Sequence, residues 1–373
     1  MKKLKILYLE PFYGGSHKDF TDGYIRESRH EIELFTLPAR YWKWRMRGAA
    51  LHFAERIPDP SSWDLLFTCD MMSLSDLKML WGGDCPPSVV YFHENQLSYP
   101  LPEGEKMDYQ FGFTDITTAL AADALLFNSD FHKDSFLGSM PGFIKKMPEF
   151  KPHWVVDRIR AKSSVIYPGC SFPEKMPERT KRPENSGERT PVILWNHRWE
   201  FDKKPEVFFD VLKKADEILK AEGTAVPFEL VLLGENFQIK PKAFIAAKEY
   251  YGERILQYGF CDSKAEYFDW LGRCDISIST SIQENFGISF VESAWAGCHP
   301  LLPDRLSYPE LIPAEYRDQI IYKDEKELLS MLLKLLKEAR NSGLRNFSDA
   351  FGIYDWRNMS GQYDDFFDKV INI

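Results

Sequence analysis

Paired cysteines are absent from this chain. Its six cysteines, at 69, 85, 170, 261, 274 and 298, are scattered and never form a Cys-x-x-Cys. That excludes a zinc knuckle and a disulfide framework, and it points to a reducing, cytoplasmic setting. No apolar run approaches the roughly 18–20 residues of a membrane span. The chain runs at once into a strand candidate, Leu4–Leu9, with no signal-peptide core of sufficient length. A soluble protein without a membrane partner is expected. Positive charge is in deficit, with 47 Lys and Arg against 56 Asp and Glu, a formal net charge of −9. This argues weakly against nonspecific nucleic-acid binding, although net charge hides local patches. Repeats of solenoid period are also missing.

With 373 residues and 44% apolar content, there is chain enough for two cores. Aromatic content is high, at 15% with 10 Trp, and is expected to be mainly structural. Strand candidates at 4–9, 31–37, 64–69, 88–92, 123–128 and 163–167 alternate with helical stretches. That pattern argues for a parallel, doubly wound α/β sheet. The polar, proline-broken segment 173–190 reads as a linker. The alternation then restarts, with strands at 191–196, 228–233, 255–258, 275–279 and 299–302. Helices are expected near 204–221, 240–251, 263–272, 287–296 and 326–340. The domains are therefore 1–172 and 191–345, followed by a tail, 346–373, with aromatics at loosely helical spacing. Tandem sheets of this kind place ligands at the carboxyl ends of their strands, in a cleft between domains.

The segment 281–298 organises the chain. After the strand candidate 275–280 comes a loop with Glu284, Phe286 and Gly287, then a helix from about Ile288 containing Glu292, with Gly297 as a C-cap. A helix start of this kind presents free N–H groups to a phosphate, and carboxylates on either side could hold hydroxyls. Phosphate flanked by polyols describes a nucleotide sugar. An amphipathic helix with two solvated glutamates would show the same pattern. Arg198 and Lys203 follow the first strand of the second domain and could neutralise a diphosphate, with Lys204 as a less certain second cation; a solvated basic loop is the alternative. Gly14-Gly15-Ser16-His17 opens a helix after the first strand and permits close approach of a phosphate or sugar, or is a bare tight turn. It is not a Gly-x-Gly-x-x-Gly fingerprint, so a dinucleotide enzyme is not favoured. His93, Glu94, Asn95 and Gln96 end another strand, where four polar groups suggest a site; a satisfied structural histidine is the alternative. Asn128 and Ser129 read more as a helix cap than as ligand contacts. Tyr258-Gly259-Phe260 ends a second-domain strand. The histidines show no metal-ligand spacing.

Arg40, Lys43, Arg45 and Arg47 interleave with Tyr41, Trp42 and Trp44. Such a segment can bind phosphates and stack unpaired bases, or be an amphipathic helix with its aromatics in the core. A second basic stretch holds Lys145, Lys146, Lys151, His153, Arg158, Arg160 and Lys162.

Glu284 and Glu292, with Phe286-Gly287 between them, resemble the donor motif of retaining GT-B glycosyltransferases. Longer strings narrow the resemblance: Leu9-Glu-Pro-Phe-Tyr-Gly-Gly-Ser-His17, Leu37-Pro-Ala-Arg-Tyr-Trp-Lys-Trp-Arg45, Tyr91-Phe-His-Glu-Asn-Gln-Leu97, His197-Arg-Trp-Glu-Phe-Asp-Lys203 and Gln283-Glu-Asn-Phe-Gly-Ile-Ser289. End to end, the chain resembles the tRNA-queuosine mannosyltransferase family. The resemblance implies a GT-B fold whose tail helix crosses back to the first domain. It implies transfer of mannose from GDP-mannose to the cyclopentenediol of queuosine at the tRNA wobble position, with an α linkage. It assigns the donor sugar to Glu284 and His93, the ribose to Glu292, and the diphosphate to Arg198, Lys203 and the Gly287–Ser289 amides. Donor contacts are implied for Gly14, Gly15, Ser16, Tyr258, Gly259, Phe286, Gly287 and Ile288. The acceptor tRNA is assigned to His17, Arg40, Lys43, Arg45, Arg47, Asn95 and Gln96. No Asp-x-Asp occurs, the pair that holds a divalent ion in glycosyltransferases of the other major fold, so a metal-free enzyme without further cofactor is expected. Two other readings remain: a GT-B enzyme with another sugar or acceptor, or a nucleotide-sugar epimerase, and a noncatalytic RNA-binding protein.

Overall fold

The computed structural model describes residues 3–102, 104–175, 190–224, 226–234, 241–341 and 343–372. Two compact units result, Met1–Ser171 with Tyr354–Ile373, and Phe172–Ile353. The expected linker 173–190 falls mostly outside the described residues.

The first unit is a six-stranded sheet: β1 (Lys5–Tyr13), β2 (Glu31–Pro38), β3 (Leu65–Cys69), β4 (Ser88–Phe92), β5 (Ala124–Phe127) and β6 (Ser163–Val165). All pairs are parallel, in the order β2-β1-β3-β4-β5-β6. The runs Leu-Leu-Phe-Thr-Cys and Ser-Val-Val-Tyr-Phe are buried throughout, as strands covered on both faces must be. Alternation sends Leu7, Leu9, Leu66, Val90, Phe92, Leu125 and Phe127 into one core. Tyr8, Phe67 and Tyr91 point the other way. There they meet Phe20 and Tyr24 of the helix Gly15–Glu27 and Tyr363 and Phe367 of the helix Trp356–Ile371. Ring centroids lie 4.5 Å apart for Phe20–Tyr91 and 4.9 Å for Phe67–Phe367. Asp364 fastens the two helices, accepting from the Tyr24 hydroxyl at 2.7 Å, the Ser28 hydroxyl at 2.7 Å and the Arg29 amide at 2.9 Å.

The tail is not one helix from 346. Ser348–Phe351 stays with the second unit, where Phe351 packs edge-on against Phe290. A 3-10 turn, Gly352–Tyr354, intervenes, and Asp355 starts the last helix by accepting from the Arg357 amide.

The second unit holds β7 (Val192–Asn196), β8 (Glu229–Leu233), β9 (Ile255–Gly259), β10 (Ile276–Ile278), β11 (His299–Pro303) and β12 (Ile321–Tyr322). They too are parallel, in the order β12-β11-β10-β7-β8-β9. In the first sheet the order reverses between β1 and β3, and in the second between β7 and β10. Open α/β sheets bind ligands at such switch points, beyond the carboxyl ends of the strands.

Candidate active site

The loops after β7 and β10 meet at the switch point of the second sheet. Lys203 is buried, and its Nζ donates to the Gln283 carbonyl at 2.6 Å and to Glu284 Oε2 at 3.3 Å. Asp202, fully buried, lies 3.3 Å from the same ammonium. The Thr280 hydroxyl donates to the Lys203 and Lys204 carbonyls, and Arg305 braces the loop through the Ser281 and Thr280 carbonyls. Arg198 is half-exposed and pairs with Glu200 at 3.1 Å. Its guanidinium can therefore turn to an arriving anion, whereas Lys203 is fixed.

Gly287 precedes the helix Ile288–Trp295 with φ 100° and supplies no capping side chain. Glycine is required here: a Cβ would also lie 2.6 Å from Phe290 Cδ1. Glu292 accepts from the Tyr267 hydroxyl at 2.9 Å and pairs with Lys264 at 3.4 Å. Asn196 reaches both Tyr267 and the Ser289 carbonyl, and His197 Nδ1 lies 2.9 Å from the Ser289 hydroxyl. Burial, with Lys203 adding to it, holds His197 down at about 3, so its imidazole is neutral. Sequence reasoning missed Tyr267, Lys264, Asn196, His197 and Arg305. Only Asn196 and His197, at the end of β7, carried a positional signal. Tyr258 turns inward onto Trp199 and donates to the Phe244 carbonyl, while Gly259 takes φ 117° and Phe260 is exposed. Phe286 is buried.

The first unit gathers a second group at its own switch point. After β1, Gly14 approaches Ala39 so closely that a Cβ would lie 2.5 Å from the alanine Cβ, and Gly15 and Ser16 open a helix without a side-chain cap. Glu10 Oε1 accepts from the Phe12 amide at 2.8 Å, and lies 3.3 Å from His17 Nδ1 and 3.4 Å from Cys69 Sγ. These three side chains bring one donor atom each within 4.8 Å and could hold an ion. The His17 and His93 rings pack with centroids 4.0 Å apart, tilted by 38°. The His93 amide donates to Asp70 Oδ1 at 2.7 Å, and the Gln96 amide to Asp115 Oδ2 at 2.6 Å. Asn95 Oδ1 closes its own turn onto the Leu97 and Ser98 amides. Ser129 caps its helix by accepting from the His132 amide, and Asn128 bridges the His93 carbonyl and His132.

The basic segment is helical over Trp42–Arg56. Trp42 is half-buried and packs against a small core, 5.0 Å from Phe111, whereas Trp44 is 75% exposed. Arg40 and Lys43 face solvent. Arg45 donates to the Pro38 carbonyl and Arg47 to Gln110. In the second stretch Lys162 is spent on the Leu120 and Ala122 carbonyls, while Lys145, Lys146, Lys151, His153, Arg158 and Arg160 remain exposed.

Comparison with known proteins bears on both units. Residues 5–170 match the family model described as tRNA-queuosine alpha-mannosyltransferase N-terminal, and residues 177–348 match glycosyl transferases group 1. A tRNA-queuosine alpha-mannosyltransferase of Drosophila melanogaster is 35% identical over 383 aligned residues, covering 99% of this chain and 98% of that protein. Among solved structures, a sucrose-phosphate synthase from Thermosynechococcus elongatus superposes with a TM-score of 0.73 at 12% identity, covering 99% of each chain. The catalytic domain of starch synthase IV from Arabidopsis thaliana, bound to ADP and acarbose, gives 0.68 at 11%, covering all of both chains. The fold is that of GT-B glycosyltransferases, and the chain belongs to the tRNA-queuosine alpha-mannosyltransferase family.

Proposed function

We propose that this protein transfers mannose from GDP-mannose to the cyclopentenediol of queuosine at the wobble position of tRNA, with retention of the α configuration. The observation that carries the donor half is the Lys203 ammonium against Glu284 and the Gln283 carbonyl at the second switch point. A diphosphate there meets Lys203, a mobile Arg198 and the uncapped amides at the start of the helix Ile288–Trp295. Glu284 then receives sugar hydroxyls. Glu292, oriented by Tyr267, takes the ribose, and backbone groups around Gly259 meet the base. The departing diphosphate oxygen takes the acceptor proton as the new bond forms on the same face. Stabilising that oxygen is the main catalytic term, and Lys203 and Arg198 supply it without a divalent ion at the diphosphate.

The acceptor half rests on the family relationship and on the exposed Arg40, Lys43 and Trp44 beside Arg45 and Arg47. An epimerase would need no such surface, and a noncatalytic RNA-binding protein would need no Lys203–Glu284 pair. The test is a panel of nucleotide sugars with queuosine-modified tRNA, followed by mass analysis of the nucleosides. GDP-mannose should give the fastest addition of one hexose to queuosine. Free sugar or an epimerised nucleotide as the only product would refute the reading.

A further inference from the structure

Four carboxyl groups converge at the switch point of the first sheet: Glu10 within β1, Asp70 after β3, Glu94 after β4, and Asp115 on the helix Tyr109–Ala121. Glu10, Asp70 and Asp115 are 0%, 2% and 1% exposed. Among the described residues no lysine or arginine forms an ion pair with any of the four. Of the two histidines alongside, His93 is held neutral by burial and by His17. Burial opposes protonation of His17 as well, but Glu10, Asp70 and Glu94 together outweigh it and raise its pKa. Buried carboxyl groups without a cationic partner are costly to ionise, and burial raises Asp70 and Asp115 above the ordinary carboxylate range.

Hydrogen bonding leaves a matching deficit. Among the described residues none hydrogen-bonds Glu10 Oε2 or Asp115 Oδ1, both acceptors when ionised, or the donor Asn95 Nδ2. Buried groups of this kind are normally satisfied by protein, water or ion, so these three are available to complementary atoms of a ligand. The complement is a cation with N–H donors that also carries a hydroxyl acceptor. Queuosine has that chemistry, because a protonatable secondary amine joins its cyclopentenediol to the base.

We propose that the carboxylate cluster of Glu10, Asp70, Glu94 and Asp115 binds the protonated secondary amine of the acceptor nucleoside, with Asn95 donating to a ring hydroxyl. This rests on the reading of the acceptor as queuosine. It makes the first unit select the modified base by charge as well as by shape, whereas the basic segment at 40–47 holds the tRNA backbone.

The test measures binding rather than transfer, by titrating the protein with one tRNA in three forms. The wobble base is guanine, 7-aminomethyl-7-deazaguanine (which keeps an amine and lacks the ring diol), or queuine. At neutral pH both amine-bearing forms should bind about tenfold or more tighter than the guanine form, the scale of one charge-assisted hydrogen bond. Glu94→Gln, at a half-buried position, and Asp115→Asn should remove most of that preference while leaving guanine-form binding unchanged, with thermal melts verifying the fold. Equal affinity for the guanine and aminomethyl forms would overturn the proposal. So would a stoichiometric metal ion, measured in the purified protein and lost in Cys69→Ser, because an ion on Glu10, His17 and Cys69 would neutralise the cluster. Mannosylation of queuosine tRNA without any amine preference would sink this inference alone. An amine preference without mannosylation would sink the proposed function and leave the binding site standing.

Discussion

Lys203 and Arg198 differ in mobility, and their substitution should show it. Arg198→Ala and Lys203→Ala should each lower turnover on the order of a hundredfold, the typical loss of one charged donor at a developing anion. Lys203→Ala should also lower thermal stability, because it leaves buried Asp202 with only Arg198, 4.0 Å away. Arg198→Ala should not, since a half-exposed ion pair contributes little. Near-normal kinetics in both variants would refute the donor assignment. The two tryptophans of the basic segment separate similarly. Trp42→Ala should lower the melting temperature, while Trp44→Ala should leave it unchanged and weaken tRNA binding by roughly 1–3 kcal/mol. Asp70 gives a pH signature. Burial raises it to about 7, with His17 opposing and Glu94 adding. Between its ordinary value and about 7 the folded state holds the extra proton, so stability falls as pH rises through that window. Asp70→Asn should therefore melt higher than the parent at pH 8, with the gap closing near pH 4. A gain of equal size at both pH values would show that the charge is not its cause.

At the scale of elements, the last helix belongs to the first unit through Trp356, which fills a space made by two glycines. A Cβ at Gly23 would lie 2.1 Å from its Nε1, and one at Gly169 would lie 2.2 Å from its Cδ2. Trp356→Ala should cost about 3–5 kcal/mol, the usual range for removing a buried aromatic side chain. Gly23→Ala, normally favourable in a helix interior, should destabilise here; a chemical denaturation midpoint that rises would contradict the packing. Most elements were legible because parallel strands buried on both faces read as unbroken apolar runs and the helices between them keep their period. β12 was not, since two residues carry no period. The break at Gly352–Tyr354 was not either, because aromatics at loosely helical spacing run across it. The Glu284–Lys203 pairing was foreseeable from a motif. The Glu10–Cys69–Asp70–Asp115 cluster was not, because topology alone brings together positions 59, 60 and 105 residues beyond Glu10.

For the molecule as a whole, each sheet carries polar residues at its own switch point, cations paired with carboxylates in the second and carboxyl groups without a Lys or Arg partner among the described residues in the first. On the proposed function, the second would meet a nucleotide diphosphate and the first a cationic nucleoside. Catalysis at the diphosphate by Lys203 and Arg198 should need no added magnesium or manganese, so activity should persist when these ions are withheld and EDTA is present briefly. A strict requirement for either would contradict this mechanism. The most direct measurement is a reaction of the purified protein with GDP-mannose and queuosine-modified tRNA, digestion to nucleosides, and mass analysis before and after α-mannosidase. The predicted result is queuosine carrying one added hexose that α-mannosidase removes. Unmodified queuosine, or a hexose that only β-mannosidase releases, would contradict it.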